Sequence, residues 1–399
     1  MVDRIVDAVL GVKDYKVVST EVLGEKLEIT LSPSSPLTLP GDKSDWTNHG
    51  TRIRRLKGTP WGLCPITINV IIPRWRNKKT RKTVEQTPAF AEKGSRIINK
   101  LREFIVILLK VATMQDVAKL LNLSWQTVRD VFKRHLAAEH ANPPLRKVHF
   151  IGIDELYLGR SLGYITIVMD LRSGRIIYVA KGRGGASLIG FWKKSKQAKM
   201  KIKAVAIDMS GAYHKSVRER LPHAVVTFDK FHVIKLMNER LDEVRRAVVR
   251  EMKDEDAVKC IKGMKWILLN NEASLDDDQA ARLDALLKAN RKLSIAYIMK
   301  EGLQEIWCQG SLAKARKVLD RWIEDANASD IGALQRMAKT LQRFRDGILS
   351  YYKTKLTSAR VEGINRKIRG LINDAYGIRD MEFFMLRLLG LHERNLKLI

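Results

Sequence analysis

VHFIGIDE (148–155) and KAVAIDMS (203–210) are the two stretches on which the reading of this chain turns. In each, an apolar, β-branched run ends on an aspartate: Phe150 to Ile153 lead to Asp154, and Ala204 to Ile207 lead to Asp208. A nearly all-apolar run is what a strand buried on both faces requires. Between the two, GYITIVMDL (163–171) and GRIIYVA (174–180) are β-rich and set off by Gly and Ser turns, so the first three runs predict an antiparallel meander. A helix is expected over Ala186 to Lys194, another from Tyr213 to Leu221, then the strand AVVTFD (224–229) and a helix from Phe231. The fold class is therefore α/β. Three strands, helix, strand, helix, strand is the order of a ribonuclease H-like mixed sheet flanked by helices.

From 235 to 355 strand signals vanish. Leu, Ala, Lys, Arg and Glu dominate, with Trp266, Trp307 and Trp322 among them, which predicts an all-helical insertion. The sheet domain then spans 147–234 and 356–399, its last part helical with Gly370 and Gly377 as breaks.

Upstream, Ile97, Leu101, Ile105 and Leu108 recur at helical spacing. In TMQDVAKLLNLSWQTVRDVFKRHL (113–136), Val117, Ala118 and Leu121 mark one helix and Val128 and Phe132 the next, with Asn122-Leu-Ser124 as a turn that places Ser124 at an N-cap. This is helix-turn-helix spacing over 87–140, whose second helix would offer Trp125, Gln126, Thr127 and Arg129 to a major groove, flanked by Lys133 and Arg134. An ordinary helical hairpin has the same spacing; charge favours the DNA-binding form. Residues 1–86 read as short strands such as KLEITLS and PITINVIIPRW with Pro/Gly loops. They end in a run, 74–82, with six cations, no acid and one Trp, of which Arg74, Arg76, Lys78, Lys79 and Arg81 are candidate phosphate contacts.

Lys and Arg number 73 against 44 acids, a formal charge of +29 over 399 residues. A folded chain with that excess fits a polyanionic partner, nucleic acid before a membrane surface, since the cations are not gathered on one amphipathic helix. Three distant cysteines, Cys64, Cys260 and Cys308, make no paired zinc motif and no disulfide framework, as in a reducing cytoplasm. The N-terminus lacks signal-peptide character, and the longest apolar stretch, Phe104 to Ala112, is broken by Lys110.

Metal-dependent phosphodiester chemistry needs carboxylates on rigid supports that hold two Mg²⁺ ions near each other. Asp154 and Asp208 meet that need, although an acid at a strand end can also be a helix cap. Glu155 and Asp170 compete locally, but Glu155 should face away from Asp154 by strand alternation. A third acid must come from far along the chain. Spacing leaves Asp374, Asp380 and Glu382 nearly as good as Glu362, which has Asn365 three residues on along the same helical face.

FIGIDE, VAIDMSGAY, FDKFHVIK and TSARVEGINRKIRGLINDAYGIRD together resemble the blocks of bacterial insertion-sequence transposases of the ISL-three type, from about Thr87 to the C-terminus. The resemblance implies a DDE catalytic domain with Asp154, Asp208 and Glu362 as metal ligands, Mg²⁺ or Mn²⁺ as the pair of ions, and the helical insertion between second Asp and Glu. It implies active-site roles for Asp229 and His232 of an Asp-x-x-His signature; Asn365, on the helical face of Glu362, is a further auxiliary candidate. It also implies base stacking by an insertion aromatic, Trp322 or Trp307, although a tryptophan in a helical region is more often core. The partners expected are double-stranded DNA, as terminal inverted repeats and target, and further copies of the chain, a homodimer or larger. The family's N-terminal zinc module has paired cysteines that this chain lacks, so no zinc is expected. A DNA-binding protein derived from a transposase, and a nuclease of the same fold, stand as alternatives.

Overall fold

The computed structural model describes residues 6–8, 10–12, 14–36, 38–209, 211–228, 230–354, 359–374 and 378–394, with only the backbone of 359–362, 374, 393 and 394. Two compact units account for it, one built on Met1–Ala141 and one on Asn142–His392.

In the first unit, β1 (Tyr15–Leu23), β2 (Lys26–Pro33), β3 (Trp46–Lys57), β4 (Ile66–Asn77) and β5 (Thr83–Glu85) form a sheet ordered β1-β2-β4-β3, with β5 paired to the far end of β4. β2 and β4 run parallel; the other pairs are antiparallel. Ile66, Ile68, Val70 and Ile72 alternate into the core on β4, as Ile29 and Leu31 do on β2. β1 and β3 are longer than the sequence suggests. Most of their residues are exposed, so the apolar alternation that betrays a strand is missing.

The buried face packs on α1 (Asn99–Leu108), α2 (Met114–Leu120) and α3 (Trp125–His140). Residues 1–86 and 87–140 thus share one core, in which Leu31 and Val70 of the sheet join Leu101, Ile105, Val117 and Val128 of the helices. Thr113 starts α2 with a reciprocal capping box, its Oγ1 accepting from Asp116 N–H at 3.2 Å. Asn122 takes the left-handed conformation (φ +49°) in the turn, and its carbonyl accepts from Lys57 Nζ of β3. Ser124 caps α3, its Oγ accepting from Thr127 N–H at 3.2 Å.

In the second unit, β6 (Phe150–Tyr157), β7 (Tyr164–Asp170), β8 (Ile176–Lys181), β9 (Ala204–Ile207) and β10 (Val225–Phe228) form a sheet ordered β10-β9-β6-β7-β8. The first three strands are the antiparallel meander; β9 and β10 add to β6 in parallel, each reached through a crossover helix, α4 (Ile189–Gln197) and α5 (Gly211–Arg220). The sheet is mixed for a simple reason. Short Gly turns reverse the chain between β6, β7 and β8, whereas α4 and α5 carry it back to the starting edge.

Between β10 and the closing helices lie α6 (Lys230–Glu251), α7 (Glu255–Gly263), α8 (Lys265–Leu269), α9 (Asp277–Ala289), α10 (Arg291–Gln304), α11 (Leu312–Ala328), α12 (Gly332–Arg343), α13 (Arg345–Leu349) and α14 (Tyr351–Thr354). Their apolar faces continue the core that covers one side of the sheet, where Phe191, Tyr213 and Val233 also pack. The other side is covered by α15 (Ala359–Asp374) and α16 (Met381–Leu389), with Ile364, Ile368, Leu371, Phe384 and Leu388 against Ile165, Ile167 and Met169 of β7. Among the described residues no helix is long and apolar enough to cross a membrane.

Gly347 of α13 shows how tightly insertion and sheet are joined. A Cβ there would run into the ring of Phe228, which is buried and packed edge-on against Phe344 at 4.8 Å. Gly347→Ala should therefore cost about 1–3 kcal/mol by overpacking. Calorimetry should show a melting temperature several degrees lower; an unchanged value would mean that the ring has room to move.

Candidate active site and nucleic-acid interface

The pairing of β6 with β9 sets the site. The strands run parallel with Phe150 opposite Ala204, Ile151 opposite Val205 and Gly152 opposite Ala206. Asp154 and Asp208 each lie two residues beyond that last pair, so they come level: Asp208 directly follows β9, whereas β6 does not end at Asp154 as its apolar run suggests but continues to Tyr157 along β7. Alternation puts both on one face, and the flanking residues agree: Ile153 and Ile207 point into the opposite core. β10 pairs with β9 as far as Phe228 opposite Ile207, so α6, with His232 in its first turn, starts from the same end of the sheet.

Asp154 is 7% exposed. Its Oδ1 accepts from Glu155 N–H at 2.8 Å, and its Oδ2 accepts from Asn365 Nδ2 of α15 at 2.7 Å. The amide oxygen of Asn365 is buried without a hydrogen-bond partner among the described residues. Glu362 stands one turn earlier on α15, but its side chain lies outside the described residues, as does Asp229. His232 is half-buried with its ring perpendicular to that of Phe231 at 5.7 Å. Among the described residues, no three His, Cys, Asp or Glu side chains gather into a metal-binding group.

Glu155 pairs across the ladder with Thr166 and faces the opposite side from Asp154, as alternation requires. Burial pushes its carboxyl above the usual range. The Asp208 and Asp154 charges add to this, while Arg183 and the Tyr213 hydroxyl oppose it. Tyr213, fully buried, shares a hydrogen bond with Thr166 Oγ1 at 2.8 Å, and Thr166 shares another with Ser187 Oγ at 2.7 Å. Arg183 lies over the Tyr164 ring at 4.7 Å. Neither Tyr213 nor Thr166 stands out in the sequence. Their only signal is a polar group inside an otherwise apolar stretch, GAY after VAIDMS and the Thr of GYITIVMDL.

On α3, Trp125 and Gln126 are exposed, whereas Thr127 is half-buried and shares a 2.8 Å hydrogen bond with Ser124 Oγ. Arg129 pairs with Asp130 at 2.8 Å and lies 5.8 Å from the Trp125 ring centroid. Lys133 is half-buried, and Arg134 reaches Glu92 at 2.9 Å. The 74–82 run is the β4–β5 hairpin, and several of its cations bond within the protein. Arg74 is half-buried on β4, and Arg76 Nε donates to Arg81 O at 3.3 Å. Lys78 donates to Ser44 O at 2.7 Å, and Lys79 pairs with Asp45 at 2.8 Å. Arg81 is exposed, its backbone left-handed (φ +58°).

The expected stacking tryptophans need correction. Trp322 is 4% exposed and donates its indole N–H to Met299 O at 2.7 Å; Trp307 is buried too, with Lys230 Nζ 5.7 Å from its ring. Both are core, where a large aromatic buries much apolar area and, at Trp322, the indole N–H finds a backbone acceptor. The indole presented to solvent is Trp266, 70% exposed with Lys265 over its ring at 5.0 Å.

The Tyr213 network should be measurable apart from any activity. Tyr213→Phe removes a buried hydroxyl that serves both Thr166 and Glu155, a loss of about 1–2 kcal/mol. Urea unfolding should show a lower midpoint with an unchanged slope; an unshifted midpoint would mean the hydroxyl contributes nothing.

The model of a protein family described as a transposase matches residues 151–388, and that of the helix-turn-helix domain of transposase family ISL3 matches residues 85–136. The transposase for insertion sequence element IS1001 of Bordetella parapertussis is 32% identical over 346 residues, 85% of this chain and 84% of the relative. That for IS1557 of Mycobacterium tuberculosis (strain CDC 1551 / Oshkosh) is 26% identical over 363 residues, 85% of this chain and 81% of the relative. Among solved structures, the Drosophila P element transposase strand transfer complex matches with a TM-score of 0.43 at 11% identity, covering 77% of this chain and 95% of that one. The chain belongs to transposase family ISL3: it is a DNA-binding enzyme that cleaves and joins DNA.

Proposed function

We propose that Asp154, Asp208 and Glu362 form the catalytic triad of a ribonuclease H-like domain, holding two divalent ions, Mg²⁺ by preference and Mn²⁺ as a substitute. The observation that carries this is the level placement of Asp154 and Asp208 on adjacent parallel strands, with Asn365 of α15 bonded to Asp154. Glu362 lies three positions before Asn365, and positions three apart share a helical face. The strand order β10-β9-β6-β7-β8, with three antiparallel strands followed by two parallel ones, supports the fold reading.

The donor set fits hard cations. Two carboxylates come level on adjacent strands, and the Asn365 side chain bonded to Asp154 has an amide oxygen without a hydrogen-bond partner among the described residues. Bound divalent ions would supply charge stabilisation at the phosphate and an activated nucleophile at neutral pH. The chain's own contribution is positioning. Asn365 and the Glu155 amide hold the Asp154 carboxylate from two sides, and the buried strand fixes its height at the sheet edge. His232, in the first turn of α6, and Asp229, three positions before it in the sequence, are assigned to the scissile phosphate or to orienting a carboxylate.

The helix-turn-helix recognises the terminal inverted repeats. Trp125 and Gln126 are its exposed readers, Arg129, Lys133 and Arg134 the backbone contacts, and the hairpin carrying Arg74, Arg76, Lys78, Lys79 and Arg81 an added phosphate surface. Strand cleavage at the element end and transfer of its 3′-hydroxyl to target DNA are both in-line displacements, so one set of carboxylates serves both. Two ends cut together call for a homodimer or larger assembly on DNA.

Asp208→Ala should lower cleavage of labelled terminal-repeat DNA in Mg²⁺ at least ~1,000-fold, about 4 kcal/mol of barrier, with DNA affinity kept or increased. Retained cutting would overturn the assignment, and cutting without joining would make the chain a nuclease. Gln126→Ala should cost about 1–3 kcal/mol on terminal-repeat DNA and little on random sequence, which competition binding would read directly.

A further inference from the structure

Between Asp170 and Asp208 the chain holds ten basic residues and no acid. Six of them, Lys193, Lys194, Lys196, Lys199, Lys201 and Lys203, run along the second half of α4 and the loop into β9, and all six are exposed. None is in an ion pair among the described residues, in contrast to Arg129 and Arg134 of the helix-turn-helix. Two of the six have a local explanation: Lys194 and Lys196 sit in the last turn of α4, where cations suit the helix dipole. Lys199, Lys201 and Lys203 lie beyond the helix and have none.

Lys199 is the telling member. It follows the α4 C-cap in the left-handed conformation (φ +50°), with Met200 N–H closing the turn on Ser195 O at 3.1 Å. That position favours glycine, which carries no Cβ penalty there. A lysine occupies the site that suits it least, in the middle of an unneutralised row of like charge. Both features oppose folding, and the charge repulsion is relieved by a bound polyanion.

The row is far from the carboxylates. Lys203 directly precedes β9 and Asp208 directly follows it. At about 3.3 Å per residue the two levels are roughly 16 Å apart, at opposite ends of the strand. Phosphates seated at the carboxylate end cannot also seat here.

We infer that this lysine row is a second DNA-docking surface, which holds the backbone of a duplex stretch other than the one being cut. The stretch is either the flank of the same end or the target DNA. A membrane surface fits less well, because α4 keeps Phe191 and Trp192 in the core and leaves only Ile189 exposed to insert. That the stretch is not the one being cut rests on the catalytic reading; that the row holds duplex DNA does not, since binding is read without metal.

The test uses the full chain with Lys193→Gln, Lys196→Gln, Lys199→Gly and Lys201→Gln combined, and Lys199→Gly alone. On a random-sequence duplex, the slope of log affinity against log salt should fall by about 0.9 for each phosphate that the variant no longer neutralises. Affinity at low salt should fall at least tenfold for the combined variant. Lys199→Gly alone should melt at or above the wild-type temperature while binding DNA less tightly, which a folding defect would not produce. A greater weakening on terminal-repeat duplexes extended beyond the cut site than on those that stop there identifies the flank; loss of strand joining, with end binding and cleavage intact, identifies the target. Unchanged slope and affinity overturn the proposal. So does unchanged DNA binding with lost adhesion to phosphatidylserine vesicles, which would reassign the row to lipid.

Discussion

The parallel register of β6 on β9 is the constraint on which the rest depends. With Gly152 opposite Ala206, two aspartates 54 positions apart in sequence come level on one face, and a shift by one residue would turn one of them into the opposite core. The register is held by Ile151, Ile153, Val205 and Ile207, which all pack into the same core as Phe191 and Tyr213. Each such side chain stabilises by roughly 1.5–3 kcal/mol when buried. Against this stands the repulsion of two carboxylates on adjacent strands. It amounts to about 3 kcal/mol at a strand spacing of ~4.8 Å and an effective dielectric constant of ~20. The apolar core, about 6–12 kcal/mol over these four side chains, therefore outweighs the electrostatic penalty and can hold the pair together before any cation arrives.

This balance also explains which parts were legible in sequence. Strands buried on both faces announce themselves, so β6, β7, β8, β9 and β10, their order and the two aspartates that follow the apolar runs of β6 and β9 could be read from apolar runs and turns, although β6 continues past Asp154 to Tyr157. The helix-turn-helix was legible because Thr113, Asn122 and Ser124 carry capping and turn chemistry in their own side chains. β1 and β3 were harder, since a strand with a mostly exposed surface has no apolar period to reveal it. The same limit applies to Tyr213 and Thr166, whose network exists only because α5 crosses back over the sheet. Asn365 was placed near the site by its spacing from Glu362, but its bond to Asp154 spans 211 positions and no local pattern encodes it.

The tryptophans of the insertion show the opposite error. A large aromatic in a charged helical stretch invites a role in stacking on a base, yet Trp322 spends its indole N–H on Met299 O inside the core. Burial was the more economical use of a side chain with so much apolar area, and the helical insertion needed it. Trp266, with no such task, remains outside beneath Lys265.

The net charge of +29 likewise says little until it is divided by partner. Cations of the recognition helix and of the β4–β5 hairpin are partly neutralised within the protein, at Asp130, Glu92 and Asp45. These pairs are exposed, so each is worth little to stability and exchanges cheaply for a phosphate. They leave the reading surface poised without making it sticky. The row from Lys193 to Lys203 has no such moderation, which suits a surface that must hold any duplex rather than choose one. On the proposed reading, the acid-paired cations belong to the surface that engages the element ends, and the row without ion pairs among the described residues belongs to the surface that holds duplex of any sequence.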